Sequence, residues 1–385
     1  MGLTDPHPSS RACAQAAAAA ILAARCLAAP PAATAQTVLR FQPSLSLTQM
    51  YDTNLFFAPS APQADFITRI TPEATVEYRS PVWNWTGGYA FDFDRFAERE
   101  DLTRADARQQ MHAGLEYRLG QRTAATAAGT FARTQTPGDL IPETGLGFAR
   151  VTAQRIDGRS SLTHRVNQVT AAAGEYRFTE DRIAGGPVIR THGAAVSAER
   201  RTSARDTVAA AYRLRQFEFG PTTSTSHALN VAWTRSISER ASLTLAGGPN
   251  VTDATVHPDL AASLRNRFKA ADVTLAYARA QTTVFGFADV VQTQSLSATA
   301  VWSFRRSFQI RAAPAVYQSR REGLHAGVFR MTAGAVWPVS RSVSVEVSFD
   351  ATRQRGVLLA GLEHATIPRY LASVRLVAAP ASGRR

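Results

Sequence analysis

The sequence contains very little cysteine and very little lysine. Of its 385 residues only two are cysteines, Cys13 and Cys26, and both lie close to the N-terminus. The rest of the chain has no disulfide framework and no thiolate chemistry, as is typical of an exported protein that is stabilised by its fold alone. Lys269 is the only lysine, so the formal net charge of +13 comes from arginine. Because no nucleic-acid motif is present, this charge indicates acidic sugars or anionic lipid as partners.

Long apolar runs and enzyme motifs are also missing. After residue 35 no segment offers about 18 consecutive apolar residues without a charge, which excludes a helical membrane protein. The chain has no G-x-S-x-G elbow, no H-E-x-x-H, no phosphate loop and no cysteine pair, and its eight histidines are scattered. The sequence therefore predicts no catalytic residue, no metal site and no cofactor. A barrel enzyme with a site of dispersed Asp, His and Ser is the alternative that local motifs leave open.

The first 35 residues differ from the rest in composition. Arg11 precedes an alanine-rich apolar run over residues 14–24, and an A-x-A step ends at Ala35, just before Gln36. A basic residue, a short apolar run and such a step are typical of a secretory signal peptide. We therefore expect residues 1–35 to be a signal peptide that is cleaved between Ala35 and Gln36. A buried alanine-rich helix is the alternative.

From about residue 39 onward polar and apolar residues alternate. In SVSVEVSFDAT, residues 342–352, every second residue is apolar and those between them are polar. The same pattern recurs in residues 105–119 and, with several aromatic residues, in 84–94. A period of two predicts β-strands with one apolar and one polar face. The phase slips at Thr71 and Pro72, where a proline within a strand predicts a β-bulge.

The segments between the predicted strands are alternately short and long. The candidates for tight turns lie at 80–82, 120–121, 165–167, 201–205, 238–240, 268–269, 305–307 and 340–341. The longer segments, richer in Pro, Gly and Asp, lie at 58–65, 98–104, 136–147, 179–189, 220–225, 249–258, 282–287, 320–325 and 354–366. Tight turns at one end and longer loops at the other are typical of a transmembrane β-barrel.

These connections predict an all-β fold, a transmembrane antiparallel up-and-down β-barrel in residues 36–378, followed by a short polar tail at 379–385. Their number implies about 18 strands, or about 16 because the pattern between residues 206 and 290 is faint. A soluble β-sandwich is the alternative, since its strands alternate as well. The barrel is favoured by aromatic residues near strand ends, which form girdles at membrane interfaces. These residues are Trp83, Trp85, Phe96, Trp302, Phe304 and Trp337.

The first predicted hairpin carries a motif. One strand ends in Tyr-Asp-x-Asn-hydrophobic, a short loop follows, and the next strand begins Asp-Phe-Ile-Thr-Arg-hydrophobic-x-Pro. In this arrangement the sequence resembles a family of β-barrel porins of the Gram-negative outer membrane. The phrase EYRLGQRTAATAAGTFARTQTP at residues 116–137 is similar to a turn and small-residue strand of the same family. The motif residues are Tyr51, Asp52, Asn54, Asp65, Phe66, Thr68, Arg69 and Pro72.

Members of this family are often associated with exopolysaccharide biosynthesis and secretion. The resemblance therefore implies a barrel of the Gram-negative outer membrane that is a passive channel or an accessory factor for exopolysaccharide secretion. The implied partners are outer-membrane lipid, polysaccharide, periplasmic export components and the barrel-assembly machinery. No nucleic acid is expected among the partners. The alternatives are a general diffusion porin for small anionic solutes and a structural or enzymatic surface barrel. The C-terminal APASGRR departs from the pattern, since many such barrels end on an aromatic residue that the assembly machinery reads.

A further expectation concerns the inside of the barrel. If the alternation holds, charged residues of the polar faces point into the lumen and set the field that a solute meets. The alternative is that these charges only pair with one another across neighbouring strands. Because arginine stays charged and forks onto carboxylate and phosphate, unpaired inward arginines would favour anions. The candidates are Asp92, Asp94, Arg108, Glu116, Arg118, Glu346, Asp350 and Arg375.

Overall fold

The computed structural model describes residues 37–304, 308–321, 323–356, 358 and 364–380. Within these ranges the chain forms eighteen strands, each antiparallel to its neighbours in chain order, and β1 pairs with β18 to close a barrel. The strands are β1 (Val38–Asp52), β2 (Asp65–Arg79), β3 (Trp83–Phe96), β4 (Arg104–Arg118), β5 (Thr123–Thr134), β6 (Ala153–Arg165), β7 (Thr170–Ile183), β8 (Ile189–Arg201), β9 (Asp206–Phe219), β10 (Thr222–Ser236), β11 (Ala241–Thr252), β12 (Thr255–Arg267), β13 (Ala271–Thr283), β14 (Val290–Phe304), β15 (Phe308–Arg321), β16 (Leu324–Pro338), β17 (Val343–Arg355) and β18 (Thr366–Ala378). The predicted signal peptide, with Ala35 and Gln36, and residues 381–385 of the predicted tail lie outside the described residues.

Among the described residues, helix is confined to connections between strands. A short 3-10 helix, Glu100–Leu102, follows β3, and another, Pro137–Leu140, lies between β5 and β6. In the described ranges, no helix is long and apolar enough to cross a membrane.

The outer face of the barrel is apolar and the inner face is polar. On β17 the outward Val347 and Phe349 are 49% and 43% exposed, while Glu346 and Asp350 point into the lumen. Every strand except the alanine-rich β5 presents at least one large exposed hydrophobic residue. An apolar surface that encircles the molecule suits lipid and not water. The prediction of an all-β transmembrane barrel with about 18 strands is confirmed.

One end of the barrel carries tight turns and the other carries the loops. At the turn end, the predicted tight turns that fall within the described residues each join two strands, as residues 80–82 join β2 and β3. The turn predicted at 305–307 lies outside the described residues. At the loop end, connections between strands contain most of the residues predicted as loops at 58–65, 98–104, 136–147 and 282–287.

Several segments predicted as long loops are largely strand. Within residues 249–258 the connection consists of Asp253 and Ala254, whose φ angles of 47° and 67° give a tight hairpin turn. The alternation continues on both sides of this turn, since Val256 is 65% exposed on the outer face while Asn250 and Asp259 are buried on the inner face. The Pro, Asn and Asp residues of these strands are also typical of loops, which is why the segment was predicted as one. The same correction applies to residues 179–189, 220–225 and 320–325.

Strand β2 runs through Pro72 without the bulge that was predicted there. Pro72 lies opposite Leu45 in one continuous register with β1, and the register with β3 is the same on both sides of it. The apparent slip of phase comes from Ile67, which points inward and is buried in a cluster with Phe96. Phe96 was expected in an interface girdle, and this prediction is wrong. Apolar residues also occur on the inner wall where connections cover it, so hydrophobicity there does not indicate lipid.

Strand β1 is only partly paired at the seam of the barrel. It pairs with β2 from Val38 to Asp52, but with β18 only from Leu45 to Asp52. Among the described residues, 38–44 therefore have a paired strand on one side only. At the loop end of the seam, Asp52 forms an ion pair with Arg369 of β18 at 2.5 Å. This ion pair links the first strand of the barrel to the last.

The five tryptophans of the sequence all lie toward the turn end. Trp83 and Trp85 begin β3, and Trp233, Trp302 and Trp337 stand near the ends of β10, β14 and β16. Tryptophan is enriched at membrane interfaces because its ring is apolar and its N–H is polar. These residues therefore form a girdle on one side of the barrel.

In lipid vesicles, tryptophan emission is expected to be quenched more strongly by lipids brominated near the head group than by lipids brominated at the chain end. The reason is that the tryptophans surround the barrel at an interface and not at the bilayer centre. Steady-state fluorescence in the two kinds of vesicle measures the ratio. Trp337→Phe, which removes one girdle residue, should lower the intensity and leave the ratio unchanged. Equal quenching by both lipids would contradict the girdle.

Candidate functional site in the barrel lumen

The connection between β5 and β6, residues 135–152, folds into the lumen, and we call it the inner loop. It reaches β17 on the far wall, where the Gly147 N–H donates a hydrogen bond to Oε1 of Gln354 at 2.9 Å. On the near wall, the Arg155 guanidinium of β6 donates to the Leu140 carbonyl oxygen. The inner loop therefore spans the lumen from one side of the ring of strands to the other.

Two glycines allow the inner loop to approach its neighbours closely. Gly145 has a φ of 64°, and a Cβ there would lie 2.3 Å from the ring of Tyr317 on β15. A Cβ on Gly147 would lie 2.1 Å from the ring of Phe57 in the β1–β2 connection. A larger residue at either position would push the inner loop away from these rings.

The inner loop packs against the connection between β13 and β14, which also turns inward. Ile141 of the inner loop and Val284 and Phe285 of this connection are at most 1% exposed. They are the centre of an apolar core inside the loop end, which we call the plug cluster. Packed protein therefore occupies part of the lumen at this end. The plug cluster consists of Leu140, Ile141, Leu146, Ala153, Val284, Phe285, Phe287, Val291, Ala326, Val328 and Leu358.

Two polar cavities remain beside the inner loop. One has a volume of about 360 Å³ and lies between the loop and strands β1, β2, β4 and β16 to β18, so we call it the β1 cavity. The other, the β8 cavity, has a volume of about 330 Å³ and is lined mainly by β6 to β9. Both are lined by arginines and carboxylates. A solute that passes the inner loop has these polar spaces available to it.

Three of the predicted lumen residues, Asp92, Asp94 and Arg108, meet in the wall beside the β1 cavity, which Arg69 and Arg108 line. Arg69 of β2 donates to both oxygens of Asp94 at 2.7 and 2.8 Å. Asp92 lies 3.2 Å from Arg69 and 3.0 Å from Arg108 of β4. Asp92 and Asp94 are 1% and 0% exposed. Because a buried carboxylate is costly without a cation, the two arginines are needed to keep these charges inside the wall.

The other predicted lumen residues also form ion pairs. One pair stands at the β1 cavity, and the remaining two lie closer to the turn end. The structure therefore distributes the predicted charges over the lumen and does not gather them into one site. The pairs are Asp350 with Arg330 at 3.3 Å, Glu346 with Arg375 at 3.5 Å, and Glu116 with Arg118 at 3.9 Å.

Three arginines that line the cavities have no carboxylate partner among the described residues. Arg150 of the inner loop stacks on Phe96, with its guanidinium carbon 4.8 Å from the ring centroid. Burial lowers the pKa of Arg150 below its ordinary value. Arg213 and Arg215 of β9 line the β8 cavity. The alternation in RLRQFEF, residues 213–219, could have revealed these two, whereas no sequence signal marks Arg150.

Two residues of the motif in the first hairpin hold the rim of the barrel together. Asp65 accepts hydrogen bonds of 3.1 to 3.3 Å from the backbone N–H groups of residues 97–99. The Asn54 side chain accepts from the Ala58 N–H and donates to the carbonyl oxygens of Ala58 and Pro368, at 2.9 to 3.1 Å. These bonds join the β1–β2 connection, the β3–β4 connection and β18.

Other motif residues lie on the outer face of the first hairpin. The rings of Tyr51 and Phe66 are 4.7 Å apart. The Thr68 hydroxyl donates to Gln49 at 2.8 Å, and Pro72 is paired with β1. These side chains connect β1 with β2 and do not reach the cavities. The motif residues that line the β1 cavity are Asp52 and Arg69.

Histidines pair with tyrosines on the outer face. Tyr176 with His192 and Tyr212 with His227 form hydrogen bonds of 2.8 and 2.7 Å between hydroxyl and ring nitrogen. In the part of the chain that the structure describes, no group of three His, Cys, Asp or Glu residues is placed to hold a metal ion.

Comparison with known proteins finds likeness of shape only. No protein-family model matches the chain, and no curated protein matches it. OpdL of Pseudomonas aeruginosa is 10% identical with a TM-score of 0.48, over 88% of this chain and 99% of its own. OpdQ of the same organism is 9% identical with a TM-score of 0.47, over 88% and 97%. An anion-selective porin from Comamonas acidovorans is 10% identical with a TM-score of 0.40, over 89% and 100%.

Proposed function

We propose that the protein is a passive channel of the Gram-negative outer membrane for small hydrophilic solutes. The observation that carries the proposal is an apolar outer face around a charged lumen, which the inner loop narrows to two polar cavities. In lipid only a closed barrel pairs all the backbone groups of its strands. Barrels of about 16 to 18 strands are wide enough to contain an aqueous channel. Solutes therefore cross beside the inner loop, driven by their own gradient.

The charge of the lumen favours anions over cations. The predicted lumen charges form pairs and largely cancel, whereas Arg150, Arg213 and Arg215 have no carboxylate partner among the described residues. Arginine stays charged in proteins, also where burial lowers its pKa. The lining of the β8 cavity contains four arginines and two glutamates, so the surplus of charge there is positive.

Exopolysaccharide secretion, which the family resemblance implies, stays a prediction, as do its partners. A polymer needs a continuous opening, and the plug cluster occupies part of the loop end. Small solutes need less rearrangement of the loops, so the narrowed lumen favours the diffusion channel. A deletion strain separates the two functions. Loss of surface polysaccharide would support secretion, while normal polysaccharide with slower anion uptake would support the channel.

In planar bilayers, the purified protein is expected to give steady single-channel currents with a preference for chloride over potassium. Arg150→Gln should lower this preference, because it removes a charge beside the path. Arg235→Gln, which alters the outer face, should leave the preference unchanged. The reversal potential in a KCl gradient measures the preference for chloride over potassium. Folded protein that carries no current at any voltage would overturn the channel, with folding checked by heat-modifiable gel mobility.

A further inference from the structure

The floor of the β8 cavity is made of small side chains between two strands that carry arginine. Gly193 of β8 lies between Arg177 of β7 and Arg215 of β9 in one row across the sheet. In the next row Ala195 lies beside Arg213. A Cβ on Gly193 would lie 3.8 Å from the Arg215 side chain and 3.9 Å from that of Arg177. The glycine thus leaves an open gap between two arginine side chains.

The Arg215 guanidinium has donors without acceptors. Its Nη1 donates to the Gln281 carbonyl oxygen at 3.0 Å. Its Nε and Nη2 are buried and have no hydrogen-bond partner among the described residues. The group lies 5.4 Å from the centroid of the Phe217 ring, which limits its movement. Because an unpaired buried donor on a charged group is unfavourable, the geometry calls for an acceptor that the wall does not supply.

The two carboxylates that line the β8 cavity already have partners. Glu143 lies 3.8 Å from Arg155, and Glu175 lies 2.8 Å from Arg159. Behind the lining, Asp157 pairs with Arg177 at 2.7 Å and Asp181 with Arg155 at 2.6 Å. The charge of Asp259 on β12 acts on Arg215 without forming an ion pair with it. An anion that enters the cavity therefore meets two guanidinium groups that form no ion pair with a carboxylate of the described residues.

We propose that the β8 cavity is a binding site for small solutes that carry a carboxylate or phosphate group, held by Arg213 and Arg215. Guanidinium groups bind both oxyanions through paired N–H donors, and bonds to a charged acceptor are stronger than neutral ones. The volume of about 330 Å³ suits a small organic anion. This inference rests on the proposed channel, because it places the site on the solute's path. Hydroxyl groups near the arginines come from Thr179, Thr191, Thr282 and Thr283.

Binding is tested in detergent, where no transport is needed. Isothermal titration calorimetry with inorganic phosphate and with succinate at low ionic strength should give saturable binding to the full chain. The double variant Arg213→Gln/Arg215→Gln is expected to bind at least tenfold more weakly. Gly193→Val, which fills the gap and keeps both arginines, should weaken binding as well. Arg200→Gln, on the outer face of β8, serves as the matched control and should bind normally.

The outcomes separate this site from the channel. If the wild type conducts but binds neither probe, or if the double variant binds as well as the wild type, the site is overturned and the channel stands. If the probes bind but no current flows, the site stands and the channel is overturned. Tighter binding of succinate than of phosphate would identify a carboxylate as the preferred group, and the reverse would identify a phosphate. The Gly193→Val result keeps the test decisive if the double variant does not fold.

Discussion

Replacing residues 138–147 of the inner loop by a short Gly-Ser linker is expected to raise the single-channel conductance several-fold. These residues include Ile141 and the glycines that let the loop reach the far wall. Without them the β1 and β8 cavities would merge into one wider path, and the current would be limited by the barrel wall. Planar-bilayer recordings in symmetrical KCl measure the change.

Two point variants provide the matched comparison for the loop deletion. Gly145→Val should also raise the conductance, because its side chain meets the Tyr317 ring and lifts the inner loop. Gly185→Val imposes a similar backbone strain, since both glycines have positive φ, but nothing lies within 4 Å of a Cβ there. Its conductance should equal that of the wild type. Unchanged currents in both the deletion and Gly145→Val would show that the inner loop does not limit the path.

Arg369→Met is expected to lower the free energy of unfolding by about 3–5 kcal/mol, the range for breaking a buried ion pair. Asp52 is 1% exposed and accepts hydrogen bonds from Arg369 at 2.5 to 3.1 Å. Removing the guanidinium leaves a buried carboxylate without its cation at the seam between β1 and β18. Urea titration in detergent, followed by tryptophan emission and by gel mobility, measures the loss.

An exposed ion pair on the outer face is the control for the seam. Arg235 lies 3.9 Å from Asp206 and its side chain is 51% exposed. Arg235→Met should therefore change the stability by at most about 1 kcal/mol. Adding Asp52→Asn to Arg369→Met should restore part of the lost stability, because no buried charge remains. Equal stability of the Arg369→Met and Arg235→Met variants would contradict a structural role for the seam pair.

The barrel could be predicted from the sequence because lipid imposes a strict pattern on strands that cross it. Val343, Val345 and Val347 of β17 must face lipid, so Ser344 and Glu346 face the lumen, and the period is unbroken. The pattern failed at Ile67, which is inward and apolar because a connection covers it. The hairpin turn at residues 253–254 was missed for a different reason, since the Pro, Asn and Asp residues of its strands are also typical of loops.

The candidate site was less predictable than the wall. Asp92 could be placed on the polar face of its strand, but its pairing with Arg69 depends on the register between β2 and β3. Glycine at 145 and 147 indicates a turn or a close approach, and does not tell which way the loop folds. The position of Arg150 depends only on the direction in which the inner loop folds. Long-range packing of the inner loop against β15 and β17 therefore decides what the lumen contains.

The seam has a consequence for how the barrel is built. Asp52 and Arg369 are 317 residues apart in the chain, whereas each hairpin joins strands that are close in sequence. Bringing such distant segments together costs about 2 kcal/mol more conformational entropy than closing a loop one tenth as long. A hairpin pairs two strands that follow each other in the chain, whereas the pairing of β1 with β18 closes a sheet of eighteen strands. Because non-local pairing is slow, the joining of β1 to β18 is expected to be the last and rate-limiting step of folding.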